Sequence, residues 1–128
     1  MIQVTCAILI HKGKILAAQR SERMPLPLKW EFPGGKIEAH ETPEACLQRE
    51  IKEELGIEIC LKEKLVPHEH HYDHLSINLI PYLAEITSGV IVLKEHKSYR
   101  FLNQSELLPL DWAAADLPIV HQLLKREL

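Results

Sequence analysis

The run Gly35-Lys36-Ile37-Glu38-Ala39-His40-Glu41 through Arg49-Glu50-Ile51-Lys52-Glu53-Glu54-Leu55-Gly56-Ile57 fits, without a mismatch, the pattern G-x5-E-x7-R-E-U-x-E-E-x-G-U, with U a bulky aliphatic residue. Thr42 is a good N-cap, Pro43 suits the first helical turn and Gly56 is a ready left-handed stop, so a helix is expected from there to Leu55. Leu47, Ile51 and Leu55 recur at i, i+4 and i+8 and supply its core stripe. Beside the stripe, Glu50, Glu53 and Glu54 stand at i, i+3 and i+4, so at about 100° per residue three carboxylates share one face. Like charges so placed oppose the fold. A hard divalent cation held by oxygens is the simplest offset.

Outward from this run, the chain reads as an α+β domain. Residues 2 to 11 alternate in a strand-like way, Lys12-Gly13-Lys14 turns the chain, and Ile15 to Arg20 completes a hairpin. Ser21 to Lys29, with Pro25 and Pro27, is a loop; a short extended piece through Trp30 and Phe32 stops at Pro33-Gly34-Gly35. Gly34 and Gly35 sit where a chain that bends sharply and approaches phosphates benefits from lacking Cβ. Beyond Gly56, strands are expected near 57 to 71, 75 to 86 and 90 to 100, with turns near Asp73-His74 and Ser88-Gly89. A helical turn follows around Ser105-Glu106-Leu107. A last amphipathic helix begins near Asp116-Leu117-Pro118, with Ile119, Val120, Leu123 and Leu124 inward. The order β-β-loop-α-β-β-β-α predicts a mixed sheet sandwiched between helices.

Composition narrows the function classes. A chain of 128 residues, 46% hydrophobic and 26% charged, is sized for one domain, 1–128, with one core. A formal net charge of -3 offers no basic surface for duplex nucleic acid, though a nucleotide needs only local cations and metal. The start Met1-Ile2-Gln3-Val4 carries no basic region leading into a long apolar run, and no stretch reaches the length of a membrane span; a cytoplasmic protein, monomer or homodimer, is expected. Cys6, Cys46 and Cys60 are too few and too scattered for a disulfide framework.

Seven identities and two aliphatic positions would arise at a given start with a chance on the order of one in a billion. The pattern resembles the signature of the Nudix hydrolases, and Trp30-Glu31-Phe32-Pro33-Gly34-Gly35-Lys36-Ile37-Glu38 looks like its MutT branch. The resemblance implies a Nudix fold, an α/β/α sandwich, and Mg2+-dependent hydrolysis of a nucleoside triphosphate to a monophosphate and pyrophosphate, with Mn2+ as a substitute. It implies metal ligation by Glu50, Glu53 and Glu54, joined by the carbonyl of Gly34. Glu95, in Leu93-Lys94-Glu95-His96-Lys97, occupies the place of a late glutamate that binds metal or accepts the proton of the attacking water. Glu53 or Glu54 can equally serve as that base, and the sequence does not decide. Gly35, Glu41, Arg49 and Gly56 are the structural positions of the motif, with the Arg49 guanidinium suited to clamping the Glu41 carboxylate bidentately.

Specificity falls outside the motif. Arg20 resembles a MutT position that reaches the substrate, and Tyr72 is an aromatic suited to stacking on a base. Asp116, in Ala114-Ala115-Asp116-Leu117-Pro118, aligns with an asparagine that MutT uses to read an oxidised guanine. An ionised carboxylate only accepts, whereas an amide also donates; the exocyclic amine of cytosine suits an acceptor and guanine O6 wants a donor. The word is also similar to that of the CTP pyrophosphohydrolase branch, so CTP and modified (d)CTP are the expected substrates, with 8-oxo-dGTP the alternative. Asp116 is also placed to cap the last helix. His68, His70, His71 and His74 invite a transition-metal reading, but His68, His70, Tyr72 and His74 alternate along a hairpin, where side chains usually cover a sheet face or edge. From another class, a Nudix fold can serve as a non-catalytic nucleotide sensor; such modules often lose motif glutamates, and this chain keeps them all.

Overall fold

Strands β1 (Ile2–His11) and β7 (Leu75–Ser88) run parallel through the middle of the molecule, in register from Ile2 opposite Ile77 to Leu9 opposite Ala84. The computed structural model describes residues 1–128. Around this pair lie β2 (Lys14–Gln19), β3 (Trp30–Glu31), β4 (Gly34–Lys36), β5 (Glu58–Lys64), β6 (His68–Tyr72) and β8 (Ser98–Leu102), forming an eight-stranded mixed sheet. Helix α1 (Pro43–Leu55) covers one face and α2 (Leu117–Leu124) the other, giving the expected α+β sandwich.

Burial on both faces explains why β1 reads as a nearly continuous apolar run. Cys6 and Ile8 join Ile119, Val120 and Leu123 of α2, while Ala7 and Leu9 join Leu47, Ile51 and Leu55 of α1. The period-2 pleat thus divides one strand between two cores. Helix α1 forms as its end signals predict: the Thr42 hydroxyl accepts the Ala45 N–H at 3.1 Å, and Gly56 closes the helix at φ 70°.

Two strand boundaries differ from expectation. The stretch 57 to 71 is two strands, β5 and β6, which pair with successive parts of the same β7 edge. The break falls at Leu65-Val66-Pro67, opposite Pro81, so the two residues that lack an N–H donor meet where the partner changes. Residues 90 to 97 are not a strand, because their backbone donors go elsewhere: Val92 N–H to Leu55 O, Lys94 N–H to Glu54 O and Lys97 N–H to Gln19 O. This segment straps the end of α1 to the end of β2. The loop 21–29 carries Leu26 and Leu28 at positive φ. No helix is long and apolar enough to cross a membrane.

Candidate active site

The main cavity, about 620 Å³, opens between the C-terminal part of α1, the turn after β3 and the start of α2. Glu54, Gly34 and Gly35 line one side, Asp116, Ala115 and Tyr72 another, and Arg20, Met24 and Leu26 a third. The strap supplies none of the lining, but its Lys94 N–H donates to the Glu54 carbonyl and its Glu95 lies close enough to Glu54 to repel it.

Arg49 organises the acidic face. Its Nε donates to Glu41 Oε2 at 2.7 Å and its Nη2 to Glu41 Oε1 at 3.0 Å, a two-point grip that also draws on the Lys36 carbonyl at 3.3 Å. The remaining nitrogen, Nη1, donates to Glu50 at 2.9 Å and Glu53 at 3.3 Å. Hydrogen bonds from Arg49 and from the Glu38 backbone hold Glu41 down to about 2. The repulsion expected among the three glutamates is therefore offset in part by a guanidinium of the same helix.

Glu54 stands apart from that clamp. Its Oε2 is buried and has no hydrogen-bond partner. Burial, then the charges of Glu31 and Glu50, push its carboxyl up to about 9 against the opposing Gly34 amide. Burial likewise raises Glu50. Gly35 packs so closely on the Glu50 carboxylate that any Cβ there would collide with it.

A divalent cation fits these residues on chemical grounds. An orphaned buried carboxylate oxygen, surrounded by further carboxylates, is a hard oxygen site that lacks only positive charge. The glutamates are not drawn together as a closed set: no three His, Cys, Asp or Glu side chains converge at ligating spacing, and exposed Glu53 turns to Arg49. Mutual repulsion and the pull of Arg49 account for that spread.

The far end of the cavity is built around Asp116. Its Oδ2 accepts the Phe32 N–H at 2.9 Å, and no side-chain bond caps α2, so the capping role expected of it is not made. Only 6% of Asp116 is exposed. Burial and the Glu31 charge push it up to about 8, which favours the neutral acid, a form that can donate as well as accept. Desolvation disfavours the ion and so works against the acceptor-only character expected from the sequence. Tyr72 OH accepts the Ala115 N–H at 3.1 Å, beside Asp116, and packs edge-on to His70 at 4.4 Å.

Two residues were missed in the sequence reading. Glu31 lies between the two raised acids, its Oε1 bonded to Arg20 Nη1 at 2.8 Å and its Oε2 to His96 Nε2 at 2.8 Å. Glu31 sits inside the Trp-Glu-Phe-Pro-Gly-Gly word, and that position was the available signal. His96 carried none beyond its adjacency to Glu95. The histidine-rich hairpin gathers no metal set; His71 Nδ1 instead meets Ser76 Oγ at 2.7 Å.

This sheet, its two helices and an acid-lined cleft beside a glycine pair define a class, and residues 1–123 match the NUDIX domain model, so the chain belongs to the Nudix hydrolase family. It is 35% identical over 120 residues to the CTP pyrophosphohydrolase of Escherichia coli K12, covering 94% of this chain and 89% of that relative. It is 32% identical over 125 residues to the 8-oxo-dGTP diphosphatase of Haemophilus influenzae, covering 97% and 92%. Among solved structures, the MutT protein of methicillin-resistant Staphylococcus aureus superposes with a TM-score of 0.77 at 44% identity, covering 96% of this chain and 95% of that one.

Proposed function

We propose that this Nudix hydrolase is a Mg2+-dependent nucleoside triphosphate pyrophosphohydrolase, with CTP and modified (d)CTP as preferred substrates. The observation that carries the reading is the polarity of one cavity: an unpartnered Glu54 carboxylate oxygen on one side and a buried Asp116 hydrogen-bonding group on another. A triphosphate needs cation-binding oxygens at one end and a base needs a fixed donor or acceptor at the other. Similarity to a CTP pyrophosphohydrolase supports the choice of base.

In this reading Glu50, Glu53 and Glu54, with the Gly34 carbonyl, would hold the cation, and Glu95 stands near as a further ligand or base. When bound, the ion lowers the pKa of the attacking water and neutralises charge on the leaving pyrophosphate. In the metal-free fold the half-buried Glu54 carboxyl is raised to about 9 and holds its proton, so cation binding would displace that proton, and Glu53, Glu54 or Glu95 would accept the proton of the attacking water. Arg49 and Glu41 fix the helix face relative to the loop. Arg20 and Tyr72 flank the nucleoside, and Phe32 orients Asp116 through its N–H.

Hydrolysis of 8-oxo-dGTP is the second reading, favoured by the protonated state of Asp116: a carboxylic acid donates to guanine O6 much as an amide does. The test is product analysis with Mg2+ against CTP, 5-substituted dCTPs, 8-oxo-dGTP, ADP-ribose and a dinucleoside tetraphosphate. Release of pyrophosphate and CMP with the highest kcat/KM for cytosine nucleotides is expected. Binding without turnover across the whole panel would make the protein a nucleotide sensor instead.

A further inference from the structure

The Glu31 carboxylate occupies a position that needs explaining, because it faces two other acids, Glu54 and Asp116, and raises both. Lining the same cavity as those acids, a carboxylate keeps one orientation only where a donor holds each oxygen. Arg20 holds Oε1 and His96 holds Oε2. The His96 side chain is only 2% exposed, and its Nδ1 is buried without a partner. An orphaned Nδ1 favours the tautomer with its proton on Nε2, which is the nitrogen that donates to Glu31.

The backbone around His96 is fastened at both ends. Lys94 N–H donates to the Glu54 carbonyl at 3.2 Å, and Lys97 N–H donates to the Gln19 carbonyl at 2.9 Å. Lys97 Nζ meets Glu22 at 2.6 Å and Ser98 OH donates to the Gln19 side chain at 2.9 Å. Arg20 in turn donates from Nε to the Pro25 carbonyl at 2.6 Å, so the same guanidinium binds Glu31 and the loop that contributes Met24, Pro25 and Leu26 to the cavity wall. A continuous set of bonds therefore runs from the strap through His96, Glu31 and Arg20 to that wall.

We propose that His96 is a positioning residue of this site, holding Glu31 so that Arg20 and the Met24–Leu26 wall keep their places at the nucleoside end of the cavity. It touches no reacting atom. On the Arg20 contact alone the Glu31 carboxylate is free to turn, since its Oε2 would then have no partner. The kinetic consequence rests on the nucleotide reading above, whereas the structural one does not.

His96→Leu removes the donor at similar bulk, and His96→Gln restores an amide donor of similar reach. In steady-state kinetics with the triphosphate substrate, His96→Leu is expected to raise KM about tenfold with kcat changed less than about threefold, and His96→Gln to recover most of that KM. The second measurement is the exchange of the Arg20 Nε–H by NMR on the ligand-free protein, which needs no turnover. That proton is expected to be protected in the wild type and in His96→Gln and to exchange freely in folded His96→Leu. An unchanged KM with a protected Arg20 Nε–H in His96→Leu would overturn the proposal, as would equal loss in the Leu and Gln variants. If the wild type hydrolyses no triphosphate, the functional reading fails, and the Arg20 signal alone still decides the role of His96.

Discussion

Asp116 accepts the Phe32 N–H at 2.9 Å across 84 residues of chain, tying the start of the last helix to the strand word that precedes the glycine pair. The bond leaves its other oxygen for a ligand. Because Asp116 is pushed up to about 8, that oxygen changes from donor to acceptor as the solution passes through this value. The ratio of kcat/KM for CTP to that for 8-oxo-dGTP is expected to rise between about pH 6.5 and about pH 9, since ionisation removes the donor for guanine O6 and keeps the acceptor for the cytosine amine. Asp116→Asn keeps an acceptor for Phe32 and should flatten the ratio. A flat ratio in the wild type would remove Asp116 from base reading.

Metal-free stability should fall as the solution becomes alkaline. Glu54 rises from 4.5 to about 9 and Asp116 from 3.8 to about 8, so between these limits the folded state holds more protons than the unfolded chain. Their contribution is complete below the unfolded values and is lost as pH climbs through the folded ones. Glu41, held down to about 2, works in the opposite sense and limits stability only in acid. Urea titrations in a chelator should show a loss of several kcal/mol from pH 6 to pH 9, largely reversed by Mg2+. Glu54→Gln should remove much of the slope while lowering kcat by about 10²–10⁴.

Arg49→Ala should weaken metal affinity about tenfold or more and lower the denaturation midpoint, because one guanidinium serves Glu41, Glu50 and Glu53. Arg49→Lys is expected to behave almost as poorly, since an ammonium cannot reproduce the two-point grip on Glu41. Calorimetric titration with Mg2+ beside thermal melts would check both; unchanged values in Arg49→Ala would dismiss the clamp.

The two adjacent glycines should respond differently to a methyl group. A Cβ on Gly34 would strike the backbone carbonyl of Thr5 in β1, which cannot yield, so Gly34→Ala should cost more than about 3 kcal/mol. On Gly35 the obstacle is the Glu50 side chain, which can swing aside. Gly35→Ala should therefore fold but bind Mg2+ more weakly, a contrast that denaturation and metal titration together would reveal.

His40 sits at φ 65° on the exposed loop before Glu41. A side chain there is strained, and His40→Gly should stabilise the protein by about 0.5 kcal/mol, the relief being partly cancelled by the freer unfolded chain. Turnover should not change. A destabilised variant would mean that His40 makes a compensating contact.

Helix α1 was legible to the residue because its determinants are local. Thr42, Pro43 and Gly56 act within one turn of the helix ends, and Leu47, Ile51 and Leu55 repeat at the helical period. The acidic face followed from the same geometry, and the family's motif word contains it whole. By contrast, the stretch 90 to 100 looked like a strand because Val90-Ile91-Val92-Leu93 is rich in β-branched residues; over 90–97 its backbone donors were claimed by carbonyls at Leu55, Glu54 and Gln19. No spacing rule announces a partner of that kind.

The sequence by itself determined the class of fold, the helix that bears the glutamates and the chemistry they suit. Only the tertiary structure decided that Arg49 takes up Glu50 and Glu53 while one Glu54 oxygen, Oε2, is left buried and unpartnered. It likewise brought His96 to Glu31 across 65 residues and seated Asp116 on Phe32, where burial raises its carboxyl. Caps and periodicity act over four or five residues and are written in the chain, whereas the charge state of an acid depends on which distant atoms exclude water from it.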